Sequence, residues 1–248
     1  MTAAAAAPER EVLVWWARTG DARPELLGLL DAVERARHEA TVRPGDKARF
    51  LVGCALSRVA LGGLLGVPPA DVPLRRVCPR CGGPHGKVGL TVPERSPYAD
   101  VDFSVTHSGE VVGVAVCRGA AVGLDAEDDG IDLDVDAAAR TALGEGERRA
   151  LRARPPAARR AAFLRTWTRK EAVLKALGVG LHVPLRELEL SAPDAAPAVL
   201  GWPGRLGRLG RRPEVSLTDL TVAGTHPAAV AVLAGGGVRV AVQADPVL

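Results

Sequence analysis

Apolar residues recur at helical spacing through residues 163–180, FLRTWTRKEAVLKALGVG, where about 100° per residue puts Phe163, Leu164, Trp167, Leu174 and Leu177 on one arc. The pattern predicts a helix with Arg165 and Arg169 toward solvent. Glu171 and Lys170 fall inside the apolar arc, and Lys175 lies at its rim. A desolvated carboxylate is costly unless something cationic meets it. Either the lysines pair with Glu171, or a metal and an anionic ligand share the site.

Residues 46–67, DKARFLVGCALSRVALGGLLGV, form a second long helical pattern. Residues 106–125, THSGEVVGVAVCRGAAVGLD, follow as a strand, a Gly turn and a second strand. The same order recurs: the helix of 163–179 is followed by THPAAVAVLAGGGVRVAV at 225–242, which repeats the Thr-His opening, the strand, the Gly turn and the strand. This predicts an α+β fold made as a pseudo-dimer of two similar halves, 1–118 and 119–248. Each half is a small antiparallel sheet packed with a long helix, with a ligand cleft between the halves. Pro- and Gly-rich connections at 68–84, 155–156 and 193–213 separate the elements. Residues 220–238 are uncharged and nearly long enough to cross a bilayer, but His226, Pro227 and several glycines make them strands and a turn.

At 248 residues, 47% hydrophobic and 25% charged, the chain has the composition of a soluble globular protein. A net charge of +3 does not indicate a general nucleic-acid binder. The alanine run 3–7 has no basic leader and is too short for a signal segment, so the expected compartment is the cytoplasm, with Cys54, Cys78, Cys81 and Cys117 reduced. The Cys78–Cys81 pair alone is half of a zinc site; His85 adds a third candidate ligand and no clear fourth is in view, so a reduced loop pair is expected. The basic run Arg205, Arg208, Arg211 and Arg212 reads as a solvated loop.

Chemistry enters with VGLDAEDDGIDLDVD, residues 122–136. On a strand, Val122, Leu124 and Ala126 take one face, while Asp125 and Glu127 share the other about 6 to 7 Å apart. Two carboxylates so placed repel and form a half-site for Mg²⁺. Alternatively the run is a polar loop capped by aspartates, or a calcium loop with Asp125, Glu127, Asp129, Gly130 and Asp136 at positions 1, 3, 5, 6 and 12. In the calcium reading the chain is a non-enzymatic binding module. Cationic candidates are His107, beside Thr106 and Ser108; Lys87, on a Gly-rich loop; and Arg49, heading the first long helix after Arg35, Arg37 and Arg43.

Taken together, VGLDAE at 122–127, WTRKEAVLKALG roughly 40 residues on, and HGK and THSG upstream resemble the Sfp-type 4′-phosphopantetheinyl transferases. The pattern of that family reads G-I-D-x-E, then W-x-x-K-E-(A/S)-x-x-K, with a Ser-His-Ser segment before them. The resemblance implies transfer of 4′-phosphopantetheine from coenzyme A to a serine of an apo acyl or peptidyl carrier protein, in polyketide, nonribosomal-peptide or fatty-acid assembly, with release of 3′,5′-ADP. It implies Mg²⁺, with Mn²⁺ able to substitute, held by Asp125, Glu127 and Glu171. It implies coenzyme A contacts from Lys175, Lys87, Thr106 and His107, with Arg49 near the nucleotide and Lys170 orienting helix and ligand. Asp125, Glu171 and Lys175 are then the catalytic set. Glu171, or a water it orients, takes the serine proton, and Trp167 packs the helix. Thr106 stands where Ser is usual, and Cys54 where related sequences often have Arg. A monomer without nucleic-acid or membrane partners is expected. Because carrier proteins are acidic, the segment 131–165 with Arg148, Arg149, Arg152 and Arg154 is the expected docking platform.

Overall fold

The computed structural model describes residues 10–77, 82–83, 86–180, 183–204, 212–244 and 248. Cys78, Cys81, His85 and three of the four arginines of the run 205–212 lie outside the described residues. The first half runs β1 (Arg10–Arg18), α1 (Ala32–Ala40), α2 (Pro44–Leu65), β2 (Leu74–Arg76), β3 (Val88–Leu90), β4 (Val101–Ser108) and β5 (Val111–Arg118). The second repeats that order with one added helix. It runs β6 (Val122–Ala126), α3 (Val135–Ala142), α4 (Glu145–Arg152), α5 (Pro156–Leu177), β7 (Glu189–Leu190), β8 (Val199–Gly201), β9 (Ser216–Val222) and β10 (His226–Val232), and β11 (Val238–Val242) closes the chain.

The main sheets have strand orders β11-β1-β5-β4 and β6-β10-β9, and β2-β3 and β7-β8 are small ribbons. Here the hairpin expectation needs correction. Each Gly turn does join two strands, but β5 already has β1 and β4 on its edges, and β10 has β6 and β9. No edge remains for the strand that follows. β6 therefore crosses over Gly119, at φ 71°, to pair with β10, and β11 crosses back to pair in parallel with β1. The true hairpins are β4–β5 and β9–β10. The first sheet is mixed rather than purely antiparallel.

Four layers follow. Helix α2 covers one face of the first sheet through Leu51, Val52, Ala55, Leu56, Phe103 and Val114. The sheets face each other through Val12, Val14, Ala115, Leu124 and Val230. Helix α5 covers the far face of the second sheet through Phe163, Leu164, Val173, Leu174, Ala229 and Ala231. Helix α2 is long and apolar enough to cross a membrane by composition, but 67% of that window is buried inside the protein.

Both long helices have 22 residues, a Pro in the first turn and a left-handed Gly cap, Gly66 and Gly178, each at φ 67°. Each buries one cation at a matching position. The Arg58 guanidinium, 1% exposed, meets Glu34 at 2.7 Å and Asp31 at 2.8 Å. Lys170, 0% exposed, meets Glu147 at 2.6 Å. Arg169 overturns the amphipathic expectation: it is 1% exposed, bonded to Asp219 at 2.6 Å and to the carbonyls of Ser191, Ala192, Pro193 and Ala195. The segment after the helix folds back over the side that its own periodicity leaves polar.

β11 joins the halves backbone to backbone on β1, whereas between β4 and β6 they are joined by side chains where a sheet would use backbone. Along β4 the alternate residues Asp102, Ser104, Thr106 and Ser108 accept from the backbone N–H groups of Val122, Leu124, Ala126 and Asp128 at 2.8, 3.0, 3.2 and 2.9 Å. Strand period two points all four toward β6. The same edge of β6 offers its carbonyls to lysines, Val122 to Lys87 and Leu124 to Lys175, each at 3.0 Å.

Candidate active site

At the C-terminal end of β6, side chains from both halves meet. Gly123 makes this possible, since a Cβ there would collide with the Ala172 carbonyl and the Ala176 amide, so only glycine lets α5 lie against the strand. Asp125 and Glu127 then face the helix, as strand period predicts. On α5, Trp167, Glu171 and Lys175 are spaced four apart and form one stripe. Lys175 Nζ donates to Asp125 Oδ1 at 2.7 Å, and Thr106 Oγ1 lies 3.4 Å from the same oxygen. Trp167 Nε1 donates to Glu127 Oε1 at 3.0 Å, and Ser108 Oγ to Glu127 Oε2 at 2.8 Å.

Two carboxylate oxygens are left over. Asp125 Oδ2 and Glu171 Oε1 are buried without a hydrogen-bond partner. Burial pushes the Asp125 carboxyl up to about 6, with the Glu127 charge adding to the rise and Lys175 opposing it. Glu171 is pushed up to about 7, by burial first and then by the Asp125 charge, again against Lys175. The cluster suffers from its own negative charge, and three carboxylates against one ammonium leave the charge that one divalent cation would cancel. Among the described residues no three His, Cys, Asp or Glu groups already stand at ion-holding spacing. The orphaned oxygens and the all-carboxylate donor set nonetheless suit a hard cation once Glu171 turns toward Asp125 and Glu127.

The other expected contacts divide. His107 points to the opposite face of β4, into a cavity of about 330 Å³ that it lines with Arg37, Asp46, Arg49, Phe50 and Arg76. Its imidazole is held below the ordinary value by burial, then by the Lys175 and Arg49 charges. Arg49 donates to the Gly109 carbonyl at 3.1 Å and pairs with Asp46 at 2.5 Å. Lys87 sits one step back along β6 from Lys175 and pairs with Asp102 at 2.5 Å. Lys170 is a correction. All its donors are taken by Glu147, Ala142 O and Leu185 O inside the second half, leaving none for a ligand. Cys54 also lines the His107 cavity, and burial pushes its thiol up to about 12.

The calcium loop is not assembled. Asp128 accepts from Gly130 N at 2.7 Å, Asp129 pairs with Arg160 at 3.0 Å, and Asp134 caps α3 by accepting from Ala137 N at 2.9 Å. In the expected docking segment Arg148 pairs with Glu145, and Arg154 with Asp194 at 2.6 Å. Arg149 and Arg152 are exposed. Sequence reasoning missed Arg76 in the cavity, and named Ser108 and Trp167 without giving either its bond to Glu127. The period-two polar run on β4 was the available signal for Ser108. The W-x-x-K-E pattern marked Trp167 without showing its partner, and nothing in the sequence marked Arg76.

Comparison with known proteins gives the chain relatives. The family model described as "4′-phosphopantetheinyl transferase superfamily" matches residues 121–231. The 4′-phosphopantetheinyl transferase HetI of Nostoc sp. is 30% identical over 215 residues, covering 86% of this chain and 82% of that protein. Protein slr0495 of Synechocystis sp., provisionally named a 4′-phosphopantetheinyl transferase, is 31% identical over 174 residues, 66% of this chain and 63% of its own. The crystal structure of Thermotoga maritima holo-(acyl-carrier-protein) synthase aligns over 46% of this chain and 62% of its own, at 22% identity and a TM-score of 0.35.

Proposed function

Because the chain belongs to the 4′-phosphopantetheinyl transferase superfamily, we propose that the junction of its halves at the end of β6 is the transfer site, with Asp125, Glu127, Glu171 and Lys175 as its working groups. The enzyme transfers the 4′-phosphopantetheine arm of coenzyme A to carrier proteins. The carrier serine oxygen bonds to the β-phosphorus of coenzyme A, the bond from that phosphorus to the bridging oxygen breaks, and 3′,5′-ADP leaves with the bridging oxygen.

Asp125, Glu127 and Glu171 would hold a divalent cation, Mg²⁺ or Mn²⁺, which when bound neutralises charge on the pyrophosphate oxygens. Lys175, already 2.7 Å from Asp125, would donate to the same oxygens as charge builds on them. Glu171, or a water it orients, would take the serine proton. The basic cavity of Arg37, Arg49, Arg76 and His107 would receive the nucleotide phosphates, with the Phe50 ring beside them. Exposed Arg149 and Arg152 on α4 would meet an acidic carrier protein.

One observation carries the reading: Asp125 Oδ2 and Glu171 Oε1, from different elements, are both buried and unpartnered beside Lys175. Natural proteins seldom leave such atoms without a purpose. The test is incubation with coenzyme A, Mg²⁺ and a panel of apo carrier proteins, followed by mass spectrometry. A gain of one phosphopantetheine arm on at least one carrier is expected, and no gain on any acyl or peptidyl carrier counts against the assignment.

A further inference from the structure

Glu127 differs from its two acidic neighbours in how it is held. Asp125 is compensated by the Lys175 ammonium at 2.7 Å, and Glu171 Oε1 is uncompensated. Each Glu127 oxygen instead takes one bond from a neutral donor, Ser108 Oγ–H at 2.8 Å and the Trp167 indole N–H at 3.0 Å. Neutral donors fix a carboxylate without cancelling its charge, and each oxygen keeps a second lone pair for another partner. The two donors come from different halves, Ser108 from the end of β4 and Trp167 from α5. Ser108 is fixed in turn, because its Oγ accepts from Asp128 N at 2.9 Å as the last rung of the polar ladder. Trp167 is fixed by packing on Phe163 with ring centres 5.8 Å apart.

We propose that Ser108 and Trp167 are positioning residues that preset the Glu127 carboxylate for a divalent cation, so that correct seating of the two halves is read directly at the metal site. The inference rests on the reading of Glu127 as a metal carboxylate. Donors behind a ligand set its orientation, and losing one typically costs about 10- to 100-fold in metal affinity.

The experiment titrates Mg²⁺ calorimetrically into the folded protein with saturating coenzyme A, for Ser108→Ala, Ser108→Thr, Trp167→Phe and Glu127→Gln. Ser108→Ala and Trp167→Phe should each raise half-saturating Mg²⁺ by about tenfold. Ser108→Thr, which keeps the hydroxyl, should restore it, and the KM for coenzyme A at saturating Mg²⁺ should stay within about twofold, since neither residue touches that ligand in this scheme. In a ¹⁵N spectrum of the four tryptophan indoles, the Trp167 resonance should move on adding Mg²⁺ to the parent protein but not to Glu127→Gln. Unchanged Mg²⁺ affinity in both Ser108→Ala and Trp167→Phe, with weakened affinity in Glu127→Gln, overturns the positioning role alone. Unchanged affinity in Glu127→Gln overturns the metal reading of that residue, and the inference with it.

Discussion

Replacing Lys170 by Met separates a structural lysine from a ligand contact. The ammonium is 0% exposed and bonds Glu147 Oε2 at 2.6 Å and the carbonyls of Ala142 and Leu185 at 3.0 Å each. Met retains most of the buried stem and leaves those three acceptors without their cation. Breaking a buried pair by removing one partner costs about 3–5 kcal/mol. Glu147 keeps the Gly144 and Leu190 amides at 2.8 and 3.0 Å, and its side chain is 12% exposed, so the lower end applies. At about 2–4 °C per kcal/mol for a chain of this size, a loss of about 3 kcal/mol lowers Tm by about 6–12 °C. Differential scanning calorimetry reads this directly, with the KM for coenzyme A measured on protein that remains folded. The account expects the fall in Tm with that KM unchanged. A second variant, Lys170→Met with Glu147→Gln, should recover part of the loss, because Gln removes the stranded charge while its amide oxygen still accepts from one of the Gly144 and Leu190 amides. An unchanged Tm with a raised KM for coenzyme A would refute the structural role and return Lys170 to the ligand.

Three more outcomes follow from named contacts. Asp125 and Glu171 have folded pKa values raised to about 6 and about 7, so between the ordinary carboxylate range and pH 7 the folded protein holds protons that the unfolded chain has released. Without divalent cation, stability should therefore fall as pH rises through that window, Glu171→Gln should flatten the fall, and a Tm that climbs steadily from pH 5 to 8 in metal-free buffer argues against the clustered carboxylates. Gly123→Ala forces α5 away from β6 by driving a methyl into the Ala172 carbonyl, so both Tm and transfer should drop, and wild-type values for both would show that the close approach is not needed. Reversing the charge of exposed Arg149 and Arg152 to Glu should raise the KM for carrier protein several-fold while that for coenzyme A holds, and equal KM values in parent and variant would move the docking surface elsewhere.

Much of the site was legible because it obeys local periodicity. Strand period two put Asp125 and Glu127 on one face, and helix spacing put Glu171 beside Lys175. The duplicated order was readable from the recurring helix pattern and Thr-His strand opening, although α5 starts at Pro156, inside what the sequence marks as a connection and before the apolar pattern that predicts it. What escaped depends on partners far along the chain. Arg169 looked solvent-facing and Lys170 ligand-facing because a helix pattern carries no trace of the segment at 185–195 that covers its polar side, nor of Glu147 on α4, which meets the Lys170 ammonium. The misread hairpins have the same origin: whether β6 pairs with β5 depends on which edges of β5 are taken, and β1, more than a hundred residues earlier, takes one of them.

The central claim is that Asp125, Glu127 and Glu171 form one cation-dependent transfer site with Lys175. Its most direct test is the rate of mass gain on an apo carrier protein as Mg²⁺ is titrated from chelated buffer, for the parent protein and for Glu171→Gln verified as folded by circular dichroism. The account predicts no transfer by the parent until Mg²⁺ is supplied, saturation with rising Mg²⁺, and a loss of at least about a hundredfold in the variant at every concentration. Full parent activity in chelator, or parent-like turnover by Glu171→Gln, would contradict it.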